Sequence, residues 1–557
     1  MLVFLVFIIT LVSAIIPYLY GLIIDSISKF DMNKTLVLIS INFIISIIHS
    51  IFESYEIKKS SCLAVQISNN IKNDIFKNIL IMKMSNLDIY TKGELINRIE
   101  NSSDATVQYF LQIIKNAVVT IINLIFPLIF IFNISGELSL TAMAIMPLMM
   151  IITFLFQSKI NKLQKENSEN SDLYKTHIYH SIDTIENIRA YQIENQVMSV
   201  FKNNLLKIFK VFTSQQNVGQ GIKVLQDIMI SIFNFIVLLI ASHRIASGEM
   251  QIGSLVSFAM YIGIFFEAVA SIMTFSLGYE QNIVNIIRIL EIGNADLENN
   301  SDSLLSANEL CDITEIKIKN LNFAYKGKDL VLNNLSIEIM NAGWYSIIGD
   351  NGCGKSTLLK VLEKFYDCEK NTIFINGNDI CDIAYNDLRR EICYTSKNHY
   401  ILNATIRDNL KISGNGISDF EIENALKNAG LYDFIMTLSD GLNTLIGDGA
   451  MQLSSGQKQK LMLARVMLRK SSVILIDEAT SDLDIHSEQE IIKIMKKLSK
   501  DKIILSISHR TSFIVQSDKI FCMGKGCFYD SGTHEELLSR SVFYKNIFLA
   551  LLNDTNY

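Results

Sequence analysis

The sequence predicts an all-α membrane domain of six spanning helices followed by an α/β domain of the phosphate-loop type. Three observations carry this reading. Apolar residues crowd the first half of a 557-residue chain that is 49% hydrophobic and 19% charged, against ~25% charged in an average globular domain. Short β-branched runs alternate with helical patterns in the second half. Between one such run and one such pattern sits GDNGCGKST, residues 349–357. At this length more than one domain is expected, since compact domains hold about 100–200 residues.

A spanning helix needs about 20 apolar residues, because each adds ~1.5 Å across a ~30 Å hydrocarbon core. Six stretches approach or exceed that length: 1–24, 35–52, 116–136, 138–158, 228–242 and 250–275. The first four carry no acidic or basic side chain except His49; Glu267 interrupts the last. MLVFLVF has no basic flank and its apolar run is too long for a cleaved signal, so it reads as the first span. The chain starts inside that span, so neither an amphipathic helix ahead of it nor an N-terminal peptidase domain is expected.

Connections at 25–34, around Glu137 and at 243–249 are short, whereas 53–115 and 159–227 read as long polar loops. The long ones hold the cations, among them Lys58, Lys59, Lys72, Lys77 and Arg98 in the first and Lys159, Lys162, Lys165 and Arg189 in the second. The positive-inside tendency places both loops, and both termini, in the cytoplasm of a cell whose membrane the chain crosses. All eight cysteines fall on that inner side, which a reducing compartment without disulfides explains; the plainer reading is that they are small core residues, and none forms a Cys-x-x-Cys metal pair. A net charge of −6 leaves no basic excess for a nucleic-acid backbone, so no nucleic-acid partner is expected.

Residues 296–314, DLENNSDSLLSANELCDIT, are polar and turn-rich. They divide a transmembrane domain, 1–295, from a nucleotide-binding domain, 315–557. Strands are expected at 315–318, 331–339 and 345–348. The pattern GxxxxGK[ST] follows the strand WYSII and precedes the helical STLLKVLEKFY. Its glycines, Gly349, Gly352 and Gly354, with Asn351, let backbone N–H groups turn around phosphates. Lys355 supplies positive charge, Ser356 a hydroxyl for Mg²⁺, and Thr357 a second hydroxyl.

Downstream, VILIDEATSDLD ends a buried strand on two consecutive acids. Strand alternation sends Asp477 and Glu478 in different directions, one to a Mg²⁺ shell and the other to a water attacking the γ-phosphate. Without the phosphate loop, the same pair would read as a solvated strand end. His509 follows the strand IILSI; alone it would read as structural, and beside this pair it reads as a γ-phosphate contact.

Between these lies LSSGQKQKLMLARVMLRK, beginning at Leu453. Gly349–Thr357, Leu453–Gln457, Asp477–Glu478, Ser481–Asp484 and His509, in that order, resemble the nucleotide-binding domain of ABC transporters, whose signature is LSGGQ. The resemblance spans nearly all of 315–545 and extends to Tyr325, where the family stacks an aromatic on adenine, and to TLIGDG at 444–449. YTKGELINRIENSSDAT (90–106) and ENIRAYQIENQ (186–196) look like the intracellular loops of exporter-type half-transporters. The resemblance implies ATP and Mg²⁺ as cofactors, a second half-transporter as partner, and ATP-driven export. It also implies that Ser454, Gly456 and Gln457 clamp the nucleotide of the other half, and that closure of the ATP sandwich switches the cavity outward.

Two positions depart from the family pattern. Ser455 replaces a signature glycine, which leaves one half of a heterodimer open beside the homodimer. Counting from Tyr394 and from Thr405 puts Lys397 where relatives carry the Q-loop glutamine; an ammonium has no lone pair for a metal, so Lys397 is expected to reach phosphate as a point charge or to face solvent. An ATP-gated channel or regulator of the same architecture is the alternative function, against which retention of Lys355, Glu478 and His509 argues. An import permease is disfavoured, since those relatives usually separate membrane and ATPase chains. Polar residues within the spans, Asn42, His49, Asn123, Asn234 and Glu267, are candidates to line a path for a peptide, drug or lipid.

Overall fold

The computed structural model describes residues 1–298, 312–396, 400–414, 416–447, 449–478 and 485–554. They fall into two compact units, Met1–Asn78 with Lys92–Asn294, and Ile79–Thr91 with Ala295–Tyr557. Most of the expected linker at 296–314, together with Cys311, Lys397 and Ser481–Asp484, lies outside the described residues.

The first unit is built on six long helices: Leu2–Ser28, Met32–Ile81, Ser103–Ile134, Gly136–Asp183, Glu194–Ala246 and Ile252–Gly293. Five described helical spans are long and apolar enough to cross a membrane, and Gly136–Asp183 contributes a shorter apolar stretch, Gly136–Ile145. The expected polar loops are largely helical instead. Met32–Ile81 runs straight through the first, and Gly136–Asp183 and Glu194–Ala246 fill most of the second. The physical reason is that residues 53–81 and 159–183 contain neither glycine nor proline. Loss of hydropathy there marks exit from lipid, not the end of the backbone hydrogen-bond ladder. The real turns are brief: Met84–Leu87 and Lys92–Asn97 in the first connection, and Ile185–Ala190 followed by left-handed Gln192 (φ 55°) in the second.

Ile131, Leu138, Phe233, Val237, Phe258, Tyr261, Phe265 and Phe266 form the interior of this unit. Phe130 stacks on Tyr261 with centroids 5.0 Å apart. The first and last helices touch through glycine: a Cβ on Gly253 would lie 2.0 Å from the Gly21 carbonyl oxygen. That close approach lets Ser257 donate to the Pro17 carbonyl at 2.9 Å and Tyr261 to Ala14 at 2.8 Å. Large apolar side chains such as Phe4, Phe43, Ile51, Phe132, Leu155 and Phe235 face outward, as a lipid-facing surface requires.

The second unit carries a six-stranded sheet in the order β12-β11-β3-β10-β9-β6. These are β3 Gly343–Gly349, β6 Ile392–Ser396, β9 Val473–Asp477, β10 Ile503–Ile507, β11 Lys519–Gly524 and β12 Cys527–Gly532. All neighbours are parallel except the edge pair β11–β12. Every residue of β9 and β10 is buried, which is why both are mostly apolar, broken only by Asp477 at the end of β9 and Ser506 within β10. A second, antiparallel sheet orders β2-β1-β4-β5, with β1 Ile316–Ala324, β2 Leu330–Ile339, β4 Ile373–Ile375 and β5 Asn378–Asp379. A helical layer around Ser455–Arg469 packs through Leu461, Ala464 and Leu468 onto Ile406, Leu410, Ile422 and Leu426.

Parallel register aligns the strand ends. Ile347, Ile507, Asp477 and Ser396 sit side by side across β3, β10, β9 and β6. The loops leaving those four strands therefore emerge at one edge, where open α/β sheets bind ligands.

Candidate functional site

At the end of β3 the chain has little choice of residue. A Cβ on Gly349 would meet the Met523 carbonyl oxygen at 2.0 Å, and Gly352 and Gly354 hold φ of 78° and 106°. Only glycine enters such a turn without strain. The helix Lys355–Leu362 starts immediately after it, so unpaired backbone N–H groups and the positive end of the helix dipole meet at the loop. Lys355 is buried, and its ammonium donates to the carbonyls of Gly349 (2.7 Å) and Asp350 (2.9 Å). Asn351 stands exposed at the loop tip. An anion set into this loop meets N–H groups and an ammonium at once.

The carboxylates part as strand geometry dictates. Asp477 accepts from the Ser356 hydroxyl at 2.8 Å and from the Tyr394 phenol at 3.0 Å. Burial, with Asp477 beside it, raises the Tyr394 phenol above its ordinary pKa, so Tyr394 stays a donor. Glu478 turns away in the left-handed region (φ 50°), its N–H donating to the Ile507 carbonyl at 3.1 Å. A non-glycine residue in that region costs energy that the surroundings must hold, and such residues cluster at functional sites. The turn carries the Glu478 carboxylate to the His509 ring, Oε1 to Nε2 3.1 Å. Both groups are part-exposed.

Tyr325 joins its hydroxyl to that of Thr357 at 3.0 Å, and its ring stands edge-on to Tyr366 (5.1 Å) and Phe323 (5.2 Å). Ser454 caps the helix Ser455–Arg469: its hydroxyl accepts from the Gln457 N–H at 3.3 Å, while the Gln457 side chain accepts from the Ser454 N–H at 2.9 Å. These two signature residues therefore bond each other, not the 349–357 loop. Gly456 is buried within the first turn. Ser356 and Asp477 together present hard oxygen donors of the kind Mg²⁺ prefers.

Neither the contact of Tyr394 with Asp477 nor that of Tyr366 with Tyr325 is marked in the sequence. Strand position alone gives no signal for either contact; the aromatic pair F-Y after the loop helix, in EKFYD, was the nearest clue.

Within the first unit, a cavity of about 1020 Å³ lies between Glu194–Ala246 and Ile252–Gly293. Two of the candidate polar residues line it, Asn234 and Glu267, with Lys223 and Asp227 and a wall of Ile230, Val237, Phe258 and Phe266. His49 instead sits 3.8 Å from Glu53, Asn123 is half-buried, and the side-chain oxygen of Asn42 is buried without a partner among the described residues.

The family profile described as the ABC transporter transmembrane region matches residues 1–269, and the one described as ABC transporter matches 332–481. A putative export ATP-binding/permease protein of Rickettsia bellii is 30% identical over 541 residues, covering 95% of this chain and 91% of its own. The putative multidrug export ATP-binding/permease protein YgaD of Bacillus subtilis is 27% identical, covering 82% and 79%. The alpha-hemolysin translocation ATP-binding protein HlyB of Escherichia coli is 27% identical, covering 96% and 76%. The fold matches the structure of a bacterial Atm1-family ABC exporter with ATP bound, TM-score 0.87 at 19% identity, over 99% of this chain and 98% of that one.

Proposed function

The chain belongs to the ABC transporters, as an exporter-type half-transporter of the cell membrane with its membrane and ATPase domains fused, and we propose from this how its own residues divide the work. Residues 1–295 form the translocation path, 315–557 the motor, and two chains act together. The 349–357 loop binds the phosphates of ATP, with Lys355 on the β and γ groups. Ser356 and Asp477 would hold Mg²⁺, which would supply positive charge beside the phosphates. Glu478 orients the attacking water and His509 holds both Glu478 and the γ-phosphate. Tyr325 stacks on adenine. Ser454, Gly456 and Gln457 face the nucleotide of the second chain.

The observation that carries this reading is the divergence of Asp477 and Glu478, one to Ser356 at 2.8 Å and the other to His509 at 3.1 Å. That divergence at the end of β9 supports a metal site at Ser356 and Asp477 and a water site at Glu478 and His509, beside one phosphate loop. Ile182, Ile185 and Tyr191 leave the second cytoplasmic turn exposed in the single chain, which supports a second chain covering them. The cavity flanked by Asp227 and Glu267 against one lysine, Lys223, favours a substrate with an apolar body and a cationic group.

The test is reconstitution of the purified chain in lipid nanodiscs, with phosphate release measured against ATP. Hydrolysis that needs Mg²⁺ and fails in Glu478→Gln supports the reading. A chain that stays monomeric, or dimerises without turnover, refutes an identical-chain motor.

A further inference from the structure

The segment Ile79–Thr91 is continuous at both ends with the first unit, yet it packs inside the second. Its backbone is stitched in place. Lys83 N–H donates to the Asp296 carbonyl at 3.1 Å, Glu298 N–H donates to the Ile81 carbonyl at 2.7 Å, and Met82 forms a bridge with Leu297. Arg389 clamps Glu298 through two N–H bonds of 2.6 and 2.7 Å. Side chains complete the seat: Met84 packs on the main core of that unit, and the Lys83 ammonium donates to Asp367 at 2.7 Å.

One further contact leads from this segment to the phosphate loop. The buried phenol of Tyr366 donates to Asp88 at 2.6 Å, and Asp88 closes the short helix Met84–Leu87. The Tyr366 ring stands edge-on to Tyr325, centroids 5.1 Å apart at 88°, with Phe323 5.7 Å away on its other contact. Tyr325 in turn shares a 3.0 Å hydrogen bond with Thr357, in the first turn of the phosphate-loop helix. Two side chains therefore separate the nucleotide loop from the segment that enters the membrane unit.

We propose that Tyr366 is a positioning residue that reports nucleotide occupancy, carrying the displacement of Tyr325 to Asp88 and so to segment 79–91. Close-packed aromatic rings repack between discrete arrangements and do not deform gradually, so a ring moved by a ligand moves its neighbour. A nucleotide that engages Thr357 and stacks on Tyr325 competes for the Tyr325–Thr357 hydrogen bond and reorients the ring against Tyr366. The phenol cannot follow without changing its bond to a carboxylate, which is stronger than one between neutral groups. Burial, with Asp88 next to it, raises the Tyr366 phenol well above its ordinary pKa, so the donor persists at every physiological pH. The path makes no use of position 397, where this chain carries a lysine. The inference rests on ATP occupying the 349–357 loop.

The experiment is hydrogen exchange on the full-length chain in nanodiscs, with and without ATP and Mg²⁺, on a Glu478→Gln background that holds the nucleotide. Binding of the fluorescent nucleotide TNP-ATP is measured in parallel. In the parent chain, ATP is expected to change exchange of the amides between Met84 and Thr91 about tenfold, the scale of one hydrogen bond to a charged group. Tyr366→Phe keeps the ring and removes the donor. It should bind TNP-ATP within about twofold of the parent and lose the ATP-dependent change. Asp88→Asn, at an exposed position, should reproduce that loss, and the double variant should add nothing further. A retained ATP-dependent change in Tyr366→Phe overturns the proposal. So does loss of nucleotide affinity in step with the exchange signal, which would make Tyr366 part of the pocket wall. Failure of the parent to bind TNP-ATP would instead overturn the nucleotide site itself.

Discussion

Glu363 caps the end of the phosphate-loop helix with its carboxyl almost fully buried, and its Oε2 has no hydrogen-bond partner among the described residues. Burial raises its pKa from 4.5 to about 8, against the opposing pull of Arg389 and Arg469. Between those values the folded chain holds a proton that the unfolded chain has released. The stability tied to this group is thus complete below pH 4.5 and falls as pH rises toward 8. At pH 7 the span is about 2.5 units, and at ~1.4 kcal/mol per unit the cost reaches roughly 3 kcal/mol. Glu363→Gln removes the ionisation and keeps the shape, so the variant should be the more stable protein at pH 7 and nearly equal to the parent at pH 5. The assay is built into the chain: its single tryptophan, Trp344, is fully buried in the second unit, so its fluorescence follows unfolding of that unit alone. For a domain of this size 3 kcal/mol corresponds to roughly 6–12 °C in midpoint. A difference that does not change between pH 5 and pH 8, or a variant less stable at pH 8, refutes the account.

Three further outcomes follow from the geometry. Glu478→Gln should bind TNP-ATP like the parent yet release phosphate about 10²–10⁴-fold more slowly, because the amide keeps the contact with His509 but cannot accept the proton of water; equal phosphate release would remove Glu478 from the chemistry. Gly349→Ala forces a Cβ to within 2.0 Å of the Met523 carbonyl oxygen, so nucleotide affinity should collapse while helicity by circular dichroism persists. In the first unit, Lys115→Met strands the buried Glu56 carboxylate, now paired at 2.7 Å, at a cost of about 3–5 kcal/mol read as earlier thermal aggregation; restoring stability with Glu56→Gln in the same chain is the confirming result.

The parts of the fold written in short contiguous runs were legible. WYSII, VILI and IILSI read as buried strands and appear as β3, β9 and β10, because parallel strands covered on both faces are mostly apolar; the two serines they contain, Ser346 and Ser506, are buried and hydrogen-bonded to each other. Hydropathy located the membrane helices and misjudged their ends, since it reports the solvent around a segment and not its backbone. Helix Met32–Ile81 leaves the apolar run near Phe52 and continues for almost thirty residues as helix because nothing in ESYEIKKSSCLAVQISNNIKNDIFKNILI breaks it. Contacts between distant residues carried no local signal at all. Tyr394 reaches Asp477, and Tyr366 reaches Asp88, across 83 and 278 positions of sequence. That difference matters for the motor. The loop proposed to hold phosphate is fixed by glycines at positions where a side chain would clash or be strained, and so it is visible in any reading of the chain. What joins that loop to segment 79–91 is two tyrosine rings whose chemistry is ordinary until the fold brings them together. A substitution at Tyr366 therefore leaves every recognisable motif intact and acts only on the connection between them.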